Sequence, residues 1–435
     1  MYLKEAIIQK VRAVEAFRLE FTRPQGWHVL IGDNGSGKST IVQAIGVGLI
    51  GPLEAPALRL VYEEWINSRK PERGVIRLTI QTDAEDGVAS DPPGTSETKV
   101  LGLIMQHDDN RTVFAGGLDG IYQGPKETST TSPGLETKTI WDTPSGCFSA
   151  GYGPFRRFTG GVKEKEDLPE RRAAAHLSLF GEDVALTESL RWLKQLNYQK
   201  LENKPDAAQM LDCMLCFINQ SDLLPHGVRL KEVSSAGVMF VDGNNAMVNV
   251  TQLSDGFRSI LSMTFELIRQ LVRCYGQDRV LRHLKADKPF IDLPGVVLID
   301  EIDAHLHPTW QTRIGKWFTR VFPAMQFIVT THSPLVCRAC DNGTIWRLAS
   351  PGSDRPSGQV IGHEKDQLVF GSILDAYGTE LFGEGIERSN EGHEKMRRLA
   401  ELNIRSIRNA LTRIERNELE DLKRILPSSS ESLEG

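Results

Sequence analysis

An α/β architecture around a buried, mostly parallel sheet is predicted by three segments of this 435-residue chain. The first is the apolar run Trp27–Ile31, followed by Gly32-Asp33-Asn34-Gly35-Ser36-Gly37-Lys38-Ser39 and then Thr40–Ile45: a strand, a glycine-rich turn and a helix start in succession. The second is Gly295-Val296-Val297-Leu298-Ile299, which ends in Asp300-Glu301. The third is Gln326-Phe327-Ile328-Val329-Thr330-Thr331, which ends at His332. Runs rich in β-branched residues, apolar at nearly every position, suit parallel strands covered on both faces. In such sheets the chemistry gathers beyond the carboxyl ends of the strands.

The glycine-rich turn is a complete G-x-x-x-x-G-K-S motif in the strand–loop–helix context it requires. Gly32, Asn34, Gly35, Ser36, Gly37 and Thr40 line a loop whose backbone N–H groups converge on a triphosphate, helped by the positive end of the helix. Lys38 is placed to reach the outer phosphates and Ser39 to put a hydroxyl on Mg²⁺, so ATP with Mg²⁺ is the expected ligand pair. At the second strand, Asp300 is placed to hold Mg²⁺ and Glu301 to take a proton from the attacking water. His332 is placed to hydrogen-bond the γ-phosphate or that water. Leu253-Ser254-Asp255-Gly256-Phe257-Arg258-Ser259 precedes the helical pattern Ile260, Leu261, Met263, Leu267, Ile268 and Leu271, so Ser254 and Gly256 open a helix that could cap an anion.

The remaining segments read more coarsely. The core head is expected from residues 1–50 and 235–350, a β-rich insert over 51–150, a helical lobe over 151–234 and a C-terminal helical extension over 351–435. Within the insert, Val75–Ile80 and Val100–Met105 read as strands, and Glu127–Thr139, with Pro133 and Gly134, reads as a flexible surface loop. In the lobe, Ser189–Leu196 and Ala207–Ile218 carry helical periodicity, interrupted by Gly181 and Pro205. Residues 392–426 read as one long helix, with a disordered tail from Pro427. Cys213/Cys216 and Cys337/Cys340 are three apart in helical-looking segments, which reads as a shared face before it reads as zinc.

Composition narrows the class. There is no apolar run of membrane-spanning length and no secretory leader pattern, and six cysteines suit a reducing compartment, so a soluble cytoplasmic protein is expected. A net charge of −6 gives no global basic footprint for nucleic acid. The Arg156/Arg157 and Arg171/Arg172 pairs are the local exceptions.

The order phosphate loop, Ser-x-Gly helix cap, Asp-Glu strand, strand-His resembles the ATP-binding-cassette (ABC) class of ATPases, including the SMC, RecF and OLD-type heads. Residues 253–259, 298–311 and 322–334 are similar to those of the stand-alone "AAA family ATPase" group, to which the ATPase subunits of the Septu, PARIS and retron anti-phage systems are related. Tyr152-Gly153-Pro154-Phe155-Arg156-Arg157 also resembles a segment common there. The resemblance implies two subunits facing head to head with two ATP molecules between them. Ser254 and Gly256 would then act on the opposite subunit's nucleotide, while Lys38, Ser39, Asp300, Glu301 and His332 act on their own. Phe257 stands where transporter signatures carry Gln, and no sustained heptads or second catalytic centre appear, which points away from transporters, SMC rods and OLD nucleases. The implied function is an ATPase switch or sensor of a bacterial defence system that controls a separately encoded effector. The alternative is a RecF-like ATPase that binds DNA in repair.

Overall fold

The computed structural model describes residues 1–66, 73–86, 96–108, 111–118, 141, 146–156, 172–181, 187–224, 227–284, 289–350, 352, 356–371, 390–407 and 411–425. The chain forms two compact units, residues 1–370 and 371–435.

The first unit opens with β1 (Tyr2–Val11), β2 (Val14–Glu20) and β3 (Gly26–Ile31), followed by α1 (Lys38–Ile50). Strands β4 (Gly74–Gln81), β5 (Thr98–Asp108), β6 (Arg111–Leu118) and β7 (Ser149–Tyr152) come next, then the short α2 (Leu177–Phe180), α3 (Thr187–Leu201) and α4 (Pro205–Gln220). A hairpin strip, β8 (Arg229–Ser234), β9 (Gly237–Val241) and β10 (Met247–Asn249), leads into α5 (Asp255–Tyr275) and α6 (Gln277–His283). The unit closes with β11 (Gly295–Ile299), α7 (Pro308–Val321), β12 (Met325–Thr331), β13 (Ile345–Arg347), β14 (Gly358–Val360) and α8 (Gly362–Phe370).

The central sheet has the order β14-β13-β3-β12-β11-β7. All neighbours are parallel except the β13–β14 edge pair. Its register aligns Ile31 with Thr331, Val329 with Ile299, and Ile299 with Tyr152, so three chemically marked strands end along one edge. Every residue of β11 and β12 is buried, as their unbroken apolar patterns predict. Period-two alternation sends neighbouring side chains to opposite faces. Phe327 joins Trp27, Phe318 and Phe322 under α7, with Trp27 and Phe318 stacked at 6.2 Å. Ile328 and Leu298 face the other way, into the cluster that holds Ile41, Ile45 and Leu49 of α1. Each such side chain contributes about 1.5–3 kcal/mol by leaving water.

Helix α1 is buried except at Ser39 and Gln43, because it is held between two sheets. The second is antiparallel, in the order β2-β1-β4-β5-β6. A Cβ on Gly48 would lie 2.7 Å from the Leu78 side chain of β4, so glycine lets α1 cross this sheet closely without displacing that leucine. Here the structure divides the chain differently from the segment-by-segment expectation. Strands β4 to β6 do not stand as an insert of their own; β4 pairs with β1 (Ala6 opposite Leu78), and β7 is part of the central sheet. The alternation of β4 shows that it is a strand, but its partner lies about 70 residues away and is set by the shared burial of Ile8, Ile76 and Leu78.

The expected lobe helices are α3 and α4, with Pro205 in the first turn of α4. Asn219 ties α4 to β8 through a reciprocal pair with the Leu230 backbone, at 2.8 and 2.9 Å. In the second unit, residues 392–426 do not form one helix but two, α9 (Asn390–Ile407) and α10 (Arg413–Ile425). They meet through Leu399, Leu402, Leu419 and Leu422 and through a two-pronged Arg398–Glu418 bridge, each contact 2.9 Å. The break has a local cause: Thr412 and Glu415 cap α10 reciprocally, the Thr412 N–H donating to Glu415 at 2.9 Å and the Glu415 N–H to Thr412 at 3.3 Å. The loop expected over 127–139 and the tail from Pro427 lie outside the described residues. Among the described residues no helix is long and apolar enough to cross a membrane.

Candidate functional site

Beyond Ile31 the chain turns through Gly32, where a Cβ would sit 2.8 Å from the Ser36 hydroxyl and 2.9 Å from the Leu348 carbonyl. It enters α1 through Gly37, at φ 93°, with no side chain capping the first turn. The first amides of a helix have no partner within it, and here no cap supplies one. Lys38, 5% exposed, folds back over the loop and donates to the carbonyls of Gly32 (2.7 Å) and Asp33 (2.9 Å). Burial pushes its ammonium below the usual lysine range, opposed by Asp300, Glu301, Asp33 and Asp303. The Ser36 hydroxyl is buried with no partner among the described residues. A loop with uncapped amides, an orphaned hydroxyl and an ammonium resting on carbonyls fits a polyphosphate. Asn34 and Gly35 are exposed on its rim, and Thr40 is buried in the first turn of α1.

The adjoining strand ends supply oxygen. Asp300, 3% exposed, accepts from the Ser39 hydroxyl at 3.1 Å and from the Thr330 hydroxyl at 2.5 Å. Glu301 follows at φ 47° and donates its N–H to the Thr330 hydroxyl at 2.7 Å. Among the described residues its carboxylate has no hydrogen-bond partner. A carboxylate beside a hydroxyl, both hard oxygens, is the donor set that suits Mg²⁺.

His332 is exposed just past β12. Its N–H lies 3.4 Å from Asp303 Oδ1, which also accepts from Thr331 at 2.6 Å. The hydroxyl of the next residue, Ser333, donates to the Gln311 side chain at 2.7 Å, so the segment is anchored on both sides of the exposed His332. The structure thus brings Lys38, Ser39, Asp300, Glu301 and His332 to one edge of the sheet. Ser254 and Gly256 lie elsewhere, at the start of α5. Ser254 is exposed and its hydroxyl makes no capping bond to its own helix. Gly256 packs on the turn after β11, where a Cβ would fall 2.8 Å from the His305 carbonyl.

Sequence reasoning missed two residues. Thr330 links Asp300 to Glu301, and its only signal was a polar residue closing an apolar run. Arg156 was read as a hint of a DNA-facing surface. It is instead 4% exposed, and its guanidinium donates to the Asp300 and Glu301 carbonyls at 2.8 and 3.0 Å. A cation so enclosed presents nothing to a phosphate backbone. Arg157 and Arg171 lie outside the described residues.

This strand order and these converging groups fit a nucleoside triphosphate held on a phosphate loop at the edge of a parallel sheet. A family model described as "AAA domain, putative AbiEii toxin, Type IV TA system" matches residues 132–338, and one described as "AAA domain" matches residues 6–101. The chain is 26% identical to the Retron Ec83 probable ATPase of Escherichia coli, over 78% of this chain and 70% of that protein. It is 24% identical to the Septu protein PtuA of Bacillus mycoides over 79% of this chain, but it spans only 40% of that relative's length. A crystal structure of an Smc head bound to the C-winged helix domain of ScpA is similar with a TM-score of 0.48 and 17% identity, covering 84% of this chain and 99% of that one. The chain is therefore similar to an ATPase of the retron systems and to the Septu protein PtuA, and its matched regions carry AAA-domain signatures.

Proposed function

We propose that this chain is the ATPase subunit of a bacterial anti-phage system, working in the cytoplasm as a Mg²⁺- and ATP-dependent switch on a separately encoded effector. Two copies would face each other with ATP between them. The observation that carries this reading is the Ser254 hydroxyl, which opens a 21-residue helix, leaves that helix uncapped and faces outward. A serine in that position has its bond to offer elsewhere, and a nucleotide held by a second copy is the partner the site chemistry suggests.

The chain's own groups would divide the work as follows. Lys38 leaves the Gly32 and Asp33 carbonyls and turns onto the outer phosphates. Ser39 and Asp300 would hold Mg²⁺, which when bound neutralises charge on the phosphates. Glu301, whose carboxylate has no hydrogen bond to break among the described residues, takes the proton of the attacking water. His332 donates to the γ-phosphate, and the opposite copy's Ser254 and Gly256 close the site. ATP adds contacts only in the closed pair, and hydrolysis removes them, which makes the nucleotide a switch.

Replacing Glu301 with Gln keeps the shape and removes the base. The Glu301→Gln protein is expected to elute as an ATP-dependent dimer or larger assembly in size-exclusion chromatography, while wild type returns to its smaller form as ATP is consumed. A variant that stays monomeric with saturating Mg-ATP would overturn the two-copy reading. The purified chain alone is expected to leave DNA uncut. Tight DNA binding that weakens steeply with salt would favour the repair reading instead.

A further inference from the structure

Among the described residues, Arg156 is a buried cation whose five hydrogen bonds all end on neutral oxygens. Nε donates to Ser259 Oγ at 3.0 Å, and Nη1 to the carbonyls of Gly153 (2.7 Å) and Asp300 (2.8 Å). Nη2 donates to the carbonyls of Glu301 (3.0 Å) and Ile302 (3.4 Å). Burial pushes the guanidinium down to about 10, the nearby carboxylates pulling the other way, so it stays charged at neutral pH.

Three of those acceptors are consecutive, and the middle one belongs to Glu301, whose φ of 47° a side-chain-bearing residue seldom adopts. Such a conformation persists only where the surroundings over-determine it. Thr330 grips this turn by its N–H and Arg156 grips it by its carbonyls. Of the two remaining contacts, one stays local at the Gly153 carbonyl and the other reaches Ser259, 2% exposed, on α5. Ser259 lies five residues after Ser254, roughly 7.5 Å along the helix. A guanidinium is planar and rigid, so one end cannot move without the other.

We propose that Arg156 is a positioning residue that ties α5 to the backbone beneath Glu301, so that engagement of Ser254 by the opposite copy's nucleotide sets the carboxylate of the subunit supplying that serine. The inference rests on the two-copy reading above. It makes the two ATP sites interdependent: each subunit senses its mate's nucleotide through α5 and adjusts its own hydrolytic turn.

The test uses the full chain and measures ATPase rate against ATP concentration, affinity for a fluorescent ATP analogue, and thermal melting. Wild type is expected to respond sigmoidally to ATP. Ser259→Ala removes only the helix-side acceptor. It should melt like wild type, bind the analogue within about twofold, respond hyperbolically and lose roughly tenfold in kcat. Arg156→Lys, too short to span all five acceptors, should lose more kcat at similar affinity; if it fails to fold, Ser259→Ala decides alone. A Ser259→Ala protein with unchanged kcat and unchanged sigmoidicity would overturn the proposal. So would a loss of rate fully matched by a loss of nucleotide affinity. Ser254→Ala, run in parallel, separates the two readings. If it is fully active and wild type is hyperbolic, the two-copy reading and the coupling fall together. If it is slow and wild type sigmoidal while Ser259→Ala behaves as wild type, only the coupling falls.

Discussion

Thr330 holds both acidic residues of the site with one hydroxyl, one by its carboxylate and the other by its backbone. It donates to Asp300 Oδ1 and accepts the Glu301 N–H, at 2.5 and 2.7 Å. Thr330→Val keeps the shape of a residue buried in β12 but leaves an amide and a carboxylate oxygen each short of a partner. Each loss costs about 1–3 kcal/mol. The expected outcome is a kcat lower by roughly ten- to a hundredfold and a higher Mg²⁺ requirement, with metal-free nucleotide binding little changed. A Mg²⁺ titration of the rate checks this, and a wild-type titration curve would show the hydroxyl to be dispensable. The contrast with Lys38, Ser39, Asp300 and Glu301 shows what a sequence displays. Those four are legible because motif spacing fixes their roles along the chain. Thr330 and Arg156 act through lateral strand pairing and through residues more than a hundred positions away, so no local pattern marks them.

At the scale of elements, the approach of α5 to the turn after β11 leaves little room for a single added methyl. Gly256 faces the carbonyl of His305, itself left-handed at φ 65°. In Gly256→Ala the helix gains about 1 kcal/mol of propensity, which offsets part of the strain of a 2.8 Å contact. Stability should therefore change little, while the displaced α5 start lowers the ATPase rate. Melting and rate measured together distinguish this from a general packing defect, in which both fall. Elements themselves were well marked where periodicity was strong, as in β11, β12, α4 and α5. The failures were of partnership and punctuation. The strand run of β4 did not announce β1 as its mate. Ile407 and Leu411 carried a helical rhythm across the α9–α10 break and hid the Thr412-x-x-Glu415 cap that starts α10. That cap is a readable start signal, outweighed by the apolar spacing around it.

For the whole first unit, two buried histidines contribute to the response to acid. His28 in β3 donates from Nε2 to the Pro24 carbonyl (2.8 Å) and accepts at Nδ1 from Thr344 (2.9 Å), a neutral ring with both nitrogens used. His176 pairs through Nε2 with Ser149 of β7 (3.0 Å), and its Nδ1 is buried without a partner among the described residues. Burial pushes the two rings down to about 4 and about 3, respectively. An unfolded histidine titrates near 6.5, so between that value and the folded ones the unfolded chain holds more protons and stability rises with pH. The contribution is whole above about pH 6.5 and is lost as pH falls through the window toward 4 and 3. At about 1.4 kcal/mol per pH unit per ring, moving from pH 7 to 5 removes roughly 4 kcal/mol, a large share of a typical 5–15 kcal/mol. Urea midpoints at pH 7.5 and 5.0 are expected to differ accordingly, and to differ less in His28→Gln or His176→Gln even if those variants are weaker at pH 7.5. Equal wild-type midpoints at the two pH values would contradict the linkage. The strands at stake are those that present the phosphate loop and the Arg156 turn. A ligand bound only by the folded unit should therefore resist the same protons. ATP at a hundredfold excess over its dissociation constant adds about 2.7 kcal/mol, enough to move acid unfolding down by roughly one pH unit while both histidines are titrating.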